Sequence, residues 1–406
     1  MRMTASVAFI VHFLFIVQLL SMGAMEMSGP FWPLHLAGMT SEALLSIAGT
    51  GVYIAPMLGI ILTGTLWGKL GDKTGNKVMM IRALAGLSLT QLGLAFASDV
   101  WLVLALRFIQ GACAGYIAPA QAYGIAMVPT AQRTRLFAWL QVSTNAGSLV
   151  GAIVGGMILD LFSFFWINLS AAIVCGLCAL LVAVVLPGDA PLKKRASTVA
   201  GSQEKKAVGP SVSRAVVGLL LVLCLLLMSR MVTQTPFSLY VTHMFAAPGW
   251  LTGLAYGLQA TGVVVSAVLW ARWFESRDVR GTLNRMLGVI AGCCLLSLLV
   301  AVTQHTGVFI GLYFVWGILL GATTPVLTAL LSRVFGDGRQ GYILGLTQSL
   351  SQLASIVGIA LGGAVLLWPG LTNLFYCVAA MYFVTFVVTL KVNHSGNVSY
   401  QSSGCE

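Results

Sequence analysis

Three ionisable side chains other than histidine, Glu26, Arg107 and Arg230, lie well inside stretches that are otherwise apolar. A charge at the centre of a membrane helix costs about 2.5–3.5 kcal/mol on insertion scales, so a chain that keeps one there is expected to use it. A carboxylate set among guanidinium groups points to proton exchange. A nearby guanidinium favours the ionised carboxylate and burial favours the acid, so Glu26 can bind or release a proton according to how closely Arg107 approaches. The alternative is a static pair, Glu26 with Arg107 or with Arg230, that only neutralises buried charge. His12, in the same stretch as Glu26, reads as a hydrogen-bonded packing residue, with a proton relay as its alternative.

Composition dictates the elements that must hold these groups. Apolar residues make up 58% of the chain and charged residues 8%, with a mean hydropathy of +0.93; a soluble domain carries about a quarter charged residues. Runs long enough to cross about 30 Å of hydrocarbon occur at 7–36, 42–67, 78–98, 101–127, 136–160, 164–186, 215–242, 250–271, 282–303, 308–331, 342–368 and 371–391. They are too long and too uniformly apolar for the alternating strands of a barrel, so the sequence predicts twelve helical spans. The first six are faintly rewritten in the last six. Pro30-Phe31 returns as Pro236-Phe237, Trp67, Asp72 and Gly75 as Trp273, Asp278 and Gly281, and Gly111, Gly115 and Pro119 as Gly317, Gly321 and Pro325, all at an offset of 206. Gly151, Gly155 and Gly156 return as Gly358, Gly362 and Gly363 at an offset of 207. The fold class is therefore an all-α polytopic membrane protein of two pseudo-symmetric six-helix bundles, 1–186 and 215–392, with a linker at 187–214 and a tail at 393–406.

The basic residues fix the orientation. With the N-terminus inside, the inner loops hold Lys69, Lys73, Lys77, Arg133, Arg135, the clusters of 193–206, Arg272, Arg277, Arg280, Arg333 and Arg339, and the outer loops hold no Lys or Arg. Both termini are thus expected in the cytosol, in the inner membrane of a cell. The net charge of +11 reads as this topology signal together with attraction to anionic lipid; no soluble basic domain exists to support nucleic-acid binding. Cleavage of the first span as a signal peptide would leave an odd number of spans and break the charge alternation. The eight cysteines are scattered; Cys175 and Cys178, and Cys293 and Cys294, sit in apolar helices without a histidine partner and read as packing residues, so no metal or redox site is expected. Two Asn-x-Ser sequences, at Asn393 and Asn397, fall on the cytosolic side and are not read as glycosylation sites.

Between the second and third spans the chain reads Gly68-Lys-Leu-Gly-Asp72-Lys73-Thr-Gly75-Asn-Lys77. This resembles the signature loop of the major facilitator superfamily, G-x-L-[AG]-D-[RK]-x-G-[RK]-[RK], with Asn76 as the one departure. Gly68 and Gly71 allow a close helix end, Gly75 a tight turn, and Asp72 can meet the positive end of a neighbouring helix. In the fourth span Arg107-Phe-Ile-Gln110-Gly111 resembles the family's R-x-x-Q-G element. In the fifth, Gly147, Gly151, Gly155 and Gly156 resemble the exporter-associated G-x-x-x-G-P-x-x-G-G, with Ala152 where the pattern has proline. Glycines four apart share a helix face and let a partner approach closely.

The resemblance implies two bundles that rock about a midplane cavity, with no cofactor and the proton gradient as energy source. It implies coupling at Arg107, to which the buried charge adds Glu26, and gating by Gly68, Asp72, Lys73, Gly75, Lys77, Gly147, Gly151 and Gly155. At about 1.5 Å per residue, Glu26 lies about 15 Å and Arg107 about 9 Å below the outer ends of their spans. Arg230 is equivalent in the repeat to Ala24, half a turn from Glu26, so all three can face one cavity. With Glu26 ionised they sum to +1, so small anionic or zwitterionic amphiphiles, such as drugs or siderophore-like chelators, are favoured over lipophilic cations. Arg230 and Gln234, four apart, are expected on one face as substrate contacts, with Gln110, Asn145, Phe31, Phe237, Tyr240 and Trp316 as further lining. The chain is expected to act as a monomer with protons and a small molecule in a lipid bilayer. Export by antiport is the favoured direction and import by symport the alternative. A primary pump is excluded by the lack of a G-x-x-x-x-G-K-[ST] loop, and an enzyme by the sparseness of the buried polar set.

Overall fold

The computed structural model describes residues 2–128, 133–188, 214–274, 279–335, 340–367 and 371–394. Described residues form helices and turns, with no strand among them. The helices are α1 (Arg2–Glu26), α2 (Trp32–Ala37), α3 (Glu42–Thr74), α4 (Asn76–Phe96), α5 (Val100–Cys113), α6 (Ile117–Met127), α7 (Arg133–Leu161), α8 (Phe164–Val185), α9 (Arg214–Met231), α10 (Phe237–Phe245), α11 (Gly249–Phe274), α12 (Val279–Val302), α13 (Thr306–Leu320), α14 (Thr323–Phe335), α15 (Gln340–Val365) and α16 (Leu374–His394). Eight stretches of described residues are long and apolar enough to cross a membrane, and shorter apolar helices run over Val216–Met231, Thr306–Leu320 and Ser349–Val365.

Among the described residues sixteen α-helices serve twelve expected spans because the first, fourth, seventh and tenth are each built of two pieces. Local chemistry makes each break. After Glu26, Ser28 and a 3-10 turn over Gly29–Phe31 carry Pro30, whose ring cannot supply an amide to continue the helix. After Cys113 the chain passes through Gly115 at φ +108°, a left-handed conformation that glycine tolerates. Between α9 and α10 the turns of 232–236 end at Pro236, and Gly321 and Ala322 separate α13 from α14. Pro56 is different: it sits inside α3 without ending it.

The chain divides into two compact units, Met1–Val208 with Ala246–Gly257, and Gly209–Phe245 with Leu258–Glu406. Residues 246–257 group with the first unit because small residues let them lie against α7. A Cβ placed on Gly253 would overlap the Ala152 carbonyl, and Asp160 accepts from the amides of Gly249 (2.6 Å) and Trp250 (3.0 Å) at the start of α11.

The glycines of α7 face α1. A Cβ on Gly147 would overlap the Leu19 carbonyl, on Gly151 that of Gly23 and on Gly155 that of Met27, so the three-glycine row seats one backbone directly on another. In the second unit Gly358 meets the Met228 carbonyl of α9 and Gly362 meets that of Val232. The repeat therefore recurs as packing. Its register in α3 and α11 departs from the sequence expectation: Trp67 Nε1 donates to the Ala112 carbonyl at 2.6 Å and Trp270 Nε1 to the Ile318 carbonyl at 2.6 Å. The hydrogen-bonding equivalent of Trp67 is Trp270, an offset of 203, and not Trp273. Asp278, paired with Asp72 in the sequence, lies outside the described residues, as do 189–213 of the linker and 395–406 of the tail.

Replacing Gly151 by Val should force α1 and α7 apart and cost about 1–3 kcal/mol, as overpacking does. Gly64, with open space around it, is the control, and Gly64→Ala should leave stability equal or slightly raised. Melting temperatures of the two detergent-purified variants check this; equal values would show that the glycine row does not set the approach.

Candidate functional site

In the first unit the polar residues of the spans gather where α1 ends. Glu26 is the last residue of α1, is half-buried, and turns its carboxylate over Gly29; a Cβ on Gly29 would lie 2.5 Å from Glu26 Oε2. The Gly29 carbonyl accepts from Tyr53 Oη at 2.9 Å, so α3 holds the broken end of the first span. Arg107, 8% exposed, projects from α5, whose start is fixed by Asp99 accepting from the amides of Trp101 and Leu102.

The position of Arg107 traces to Pro56. Proline has no amide, so the Val52 carbonyl four residues earlier loses the donor that a helix would give it. Arg107 Nε supplies that donor at 3.0 Å, while its Nη1 meets Gln110 Oε1 at 2.5 Å and its guanidinium lies 5.2 Å from the centre of the Trp32 ring. Gly111 completes the seat, since a Cβ there would overlap the Pro56 carbonyl. The spacing of Arg107, Gln110 and Gly111 is thus explained by one proline on the facing helix, which the sequence reading passed over. Its signal was a proline within an apolar run long enough to span.

Glu26, Arg107 and Tyr53 are within electrostatic reach of one another. Among the described residues no hydrogen bond or ion pair joins Glu26 to Arg107. The static salt bridge considered from sequence is therefore not the arrangement found between these two. Gln110 Nε2 and Gln91 Nε2 both approach Met25 Sδ, at 3.8 and 3.9 Å, and Gln18 ties α1 to α7 through the Leu140 carbonyl (3.0 Å) and Thr144 Oγ1 (2.6 Å).

Other expected site residues fall elsewhere. Arg230 stands one residue before the end of α9, half-buried, and Gln234 lies in the turns that follow, so their spacing of four is not that of one helix face. Both belong to the second unit. Asn145 donates to the carbonyl of Gln141 on its own helix at 2.6 Å. Phe31, Phe237, Tyr240 and Trp316, expected as lining, are at most 2% exposed, their surfaces taken up by packing. In the second unit the ring of Phe237 lies 5.0 Å from Tyr313, that of Tyr240 4.8 Å from Phe375, and that of Trp316 5.2 Å from Tyr313.

The loop residues divide as well. Gly68 lies within α3; the side chain of Asp72 is outside the described residues; Lys73 is exposed; and Gly75 links α3 to α4 at φ +91°, ψ 164°. Lys77 does not stay in the loop. Its Nζ donates to the carbonyls of Ala183 (2.7 Å) and Leu186 (2.6 Å), a cation closing the C-terminal end of α8. Two further arginines inside spans escaped the sequence reading. Arg82 stacks 3.8 Å from the centre of Trp67 and donates to the Ala114 carbonyl at 3.1 Å; Arg285 lies 4.5 Å over Trp273 and donates to its carbonyl. The spacing of 203 between them was the missed signal.

A family model described as Major Facilitator Superfamily matches residues 14–359. The chain is 26% identical over 340 residues to a multi-drug resistance efflux pump PmrA homolog of Lactococcus lactis subsp. lactis, covering 83% of each chain. It is 22% identical over 395 residues to the staphyloferrin B transporter of Staphylococcus aureus, covering 94% of this chain and 93% of that protein. Among solved structures, a D-xylose-proton symporter superposes with a TM-score of 0.71 at 17% identity, over 96% of this chain and 98% of that one.

Arg107→Lys keeps the charge and loses the fork that serves Val52 and Gln110 together. It is expected to cost about 1–3 kcal/mol through the acceptors left unpaired, read as a lower melting temperature of the purified protein. An unchanged melting temperature would show that these two contacts do not hold the arginine.

Proposed function

The chain belongs to the major facilitator superfamily, and on that premise we propose that it exports small anionic or zwitterionic amphiphiles in exchange for protons. It is a polytopic membrane transporter. The observation that carries the proposal is Glu26. It is the one acid well inside a span, it stands at a helix break as transporter sites do, and it is half-buried near an arginine whose Nε and Nη1 are bonded to Val52 and Gln110. Such a carboxylate can change protonation without dismantling an ion pair.

The balance of charge supports the solute class. Arg82, Arg107, Arg230 and Arg285 lie within spans against Glu26 alone, and an anion or zwitterion suits that excess where a lipophilic cation does not. Carboxylate-rich chelators of the siderophore type fit, in keeping with the relative named as a staphyloferrin B transporter. Export is in keeping with the relative named as an efflux pump. In this reading Arg230 and Gln234 contact the solute, Glu26 and Arg107 carry coupling, Asp72 and Lys73 with Gly68 and Gly75 serve gating, and both termini face the cytosol.

Everted membrane vesicles acidified inside test the whole of it. The native chain is expected to accumulate a radiolabelled citrate-type siderophore on imposing the gradient. Glu26→Gln should insert at normal abundance, lose gradient-driven accumulation by tenfold or more (about 1.4 kcal/mol per factor of ten) and keep counterflow exchange of solute. Undiminished gradient-driven accumulation by Glu26→Gln would refute the coupling role. Accumulation only in right-side-out vesicles under an acidic exterior would replace export by symport.

A further inference from the structure

The breaks in the fourth and tenth spans are each closed by the same two-donor bracket from the neighbouring helix. Where α5 ends, the Ala114 amide turns back to the Gly111 carbonyl (3.1 Å) and the chain leaves the helix through Gly115, which deprives the Ala112 carbonyl of the amide four residues on. Trp67 Nε1 at 2.6 Å fills its place from α3, and Thr63 Oγ1, whose one proton is shared with the Gly59 carbonyl at 2.9 Å on its own helix, lies beside it at 3.0 Å. Where α13 ends, the Ala322 amide goes to Leu319 (3.1 Å), which leaves the Ile318 carbonyl in the same condition. Trp270 Nε1 at 2.6 Å fills that place from α11, with Ser266 Oγ at 2.9 Å, its one proton shared with the Val263 carbonyl at 3.2 Å.

Two copies of a hydroxyl and an indole, four residues apart, meet the same orphaned carbonyl in units whose sequences have otherwise drifted. Apolar packing alone would not keep both donors. In a membrane interior an unanswered carbonyl has no water to turn to, so the bracket decides where the helix stops. The two brackets differ in one respect: Arg82 stacks on Trp67 and reaches the Ala114 carbonyl, whereas Arg285 stacks on Trp273.

We propose that Trp67 and Trp270 are positioning residues, each fixing the last turn of a broken span and thereby the side chains on it. For Trp67 these are Arg107 and Gln110, five and two residues before the bracketed carbonyl; for Trp270 the side chain is Trp316, two residues before Ile318. Phenylalanine at either position keeps an aromatic ring and removes the donor. The effect on transport rests on the coupling reading above; the effect on the break does not.

The experiment is amide hydrogen exchange by mass spectrometry on the full chain in lipid nanodiscs, with a transport pH profile on the same preparations. Trp67→Phe is expected to speed exchange at 113–118 roughly fivefold, the equivalent of one net hydrogen bond, and to leave 319–324 as in the native chain; Trp270→Phe should do the reverse. Thr63→Val, which removes the smaller donor, should act at 113–118 in the same sense. Trp67→Phe should further displace the pH midpoint of transport, which Trp270→Phe should not. Exchange unchanged at the breaks, or raised uniformly along the chain, would overturn the proposal. Local exchange changes with an unmoved pH midpoint would sustain the bracket and count against the coupling role of Arg107.

Discussion

A carbonyl inside a bilayer that loses its helical partner must find another, because no water replaces it. This requirement organises the first unit. Pro56 frees the Val52 carbonyl and Arg107 answers it; the break after α1 leaves the Gly29 carbonyl and Tyr53 answers it. The break after α5 leaves those of Ala112 and Ala114, answered by Thr63 with Trp67 and by Arg82. The end of α8 is answered by Lys77. Each answering side chain comes from a different helix than the carbonyl, so satisfying the backbone also fixes which helices are neighbours. Polar residues that look like isolated expenses in a sequence are, in the fold, the terms that permit its discontinuities.

Close approach is the second condition, because a donor reaches a neighbouring backbone only if the two helices come near. Glycine supplies this on α7 against α1 and on α15 against α9. Gly111 and Gly317 do the same against the carbonyls of Pro56 and Gln259. Hydrocarbon offers no hydrophobic drive between helices, so van der Waals packing of bare backbone has to provide the association. The duplication is consequently sharper in these contacts than in the side chains that surround them.

Much of this was legible in the chain beforehand. The helical class and the glycine row of α7 followed from apolar run length and spacing, both of which are properties of a single helix. Less legible was whatever depends on which helix faces which. The register of 203 in α11 was hidden because Trp270 and Trp273 are both tryptophans one turn apart, and only the hydrogen bond tells them apart. Arg230 and Gln234 share a face only on a continuous helix, and α9 stops at Met231. The aromatic residues expected as lining were matched on chemistry, and chemistry alone does not distinguish a ring facing a solute from one facing another ring. Pro56 and Arg107, 51 residues apart, could be connected only by a tertiary contact.

The way Arg107 is held bears on what Glu26 can do. Had its guanidinium been committed to the Glu26 carboxylate, protonating that acid would strand charged donors in a medium without water, and the pair would resist exchange. Neutral acceptors, the Val52 carbonyl and Gln110 Oε1, hold it instead. Its positive charge then acts on Glu26 through space and is not consumed by contact. In the proposed exchange, a proton arriving at Glu26 removes only that attraction, leaving the hydrogen bonds of Arg107 in place. On the proposed mechanism, the same absent amide of Pro56 that interrupts a helix is what leaves the acid free to titrate.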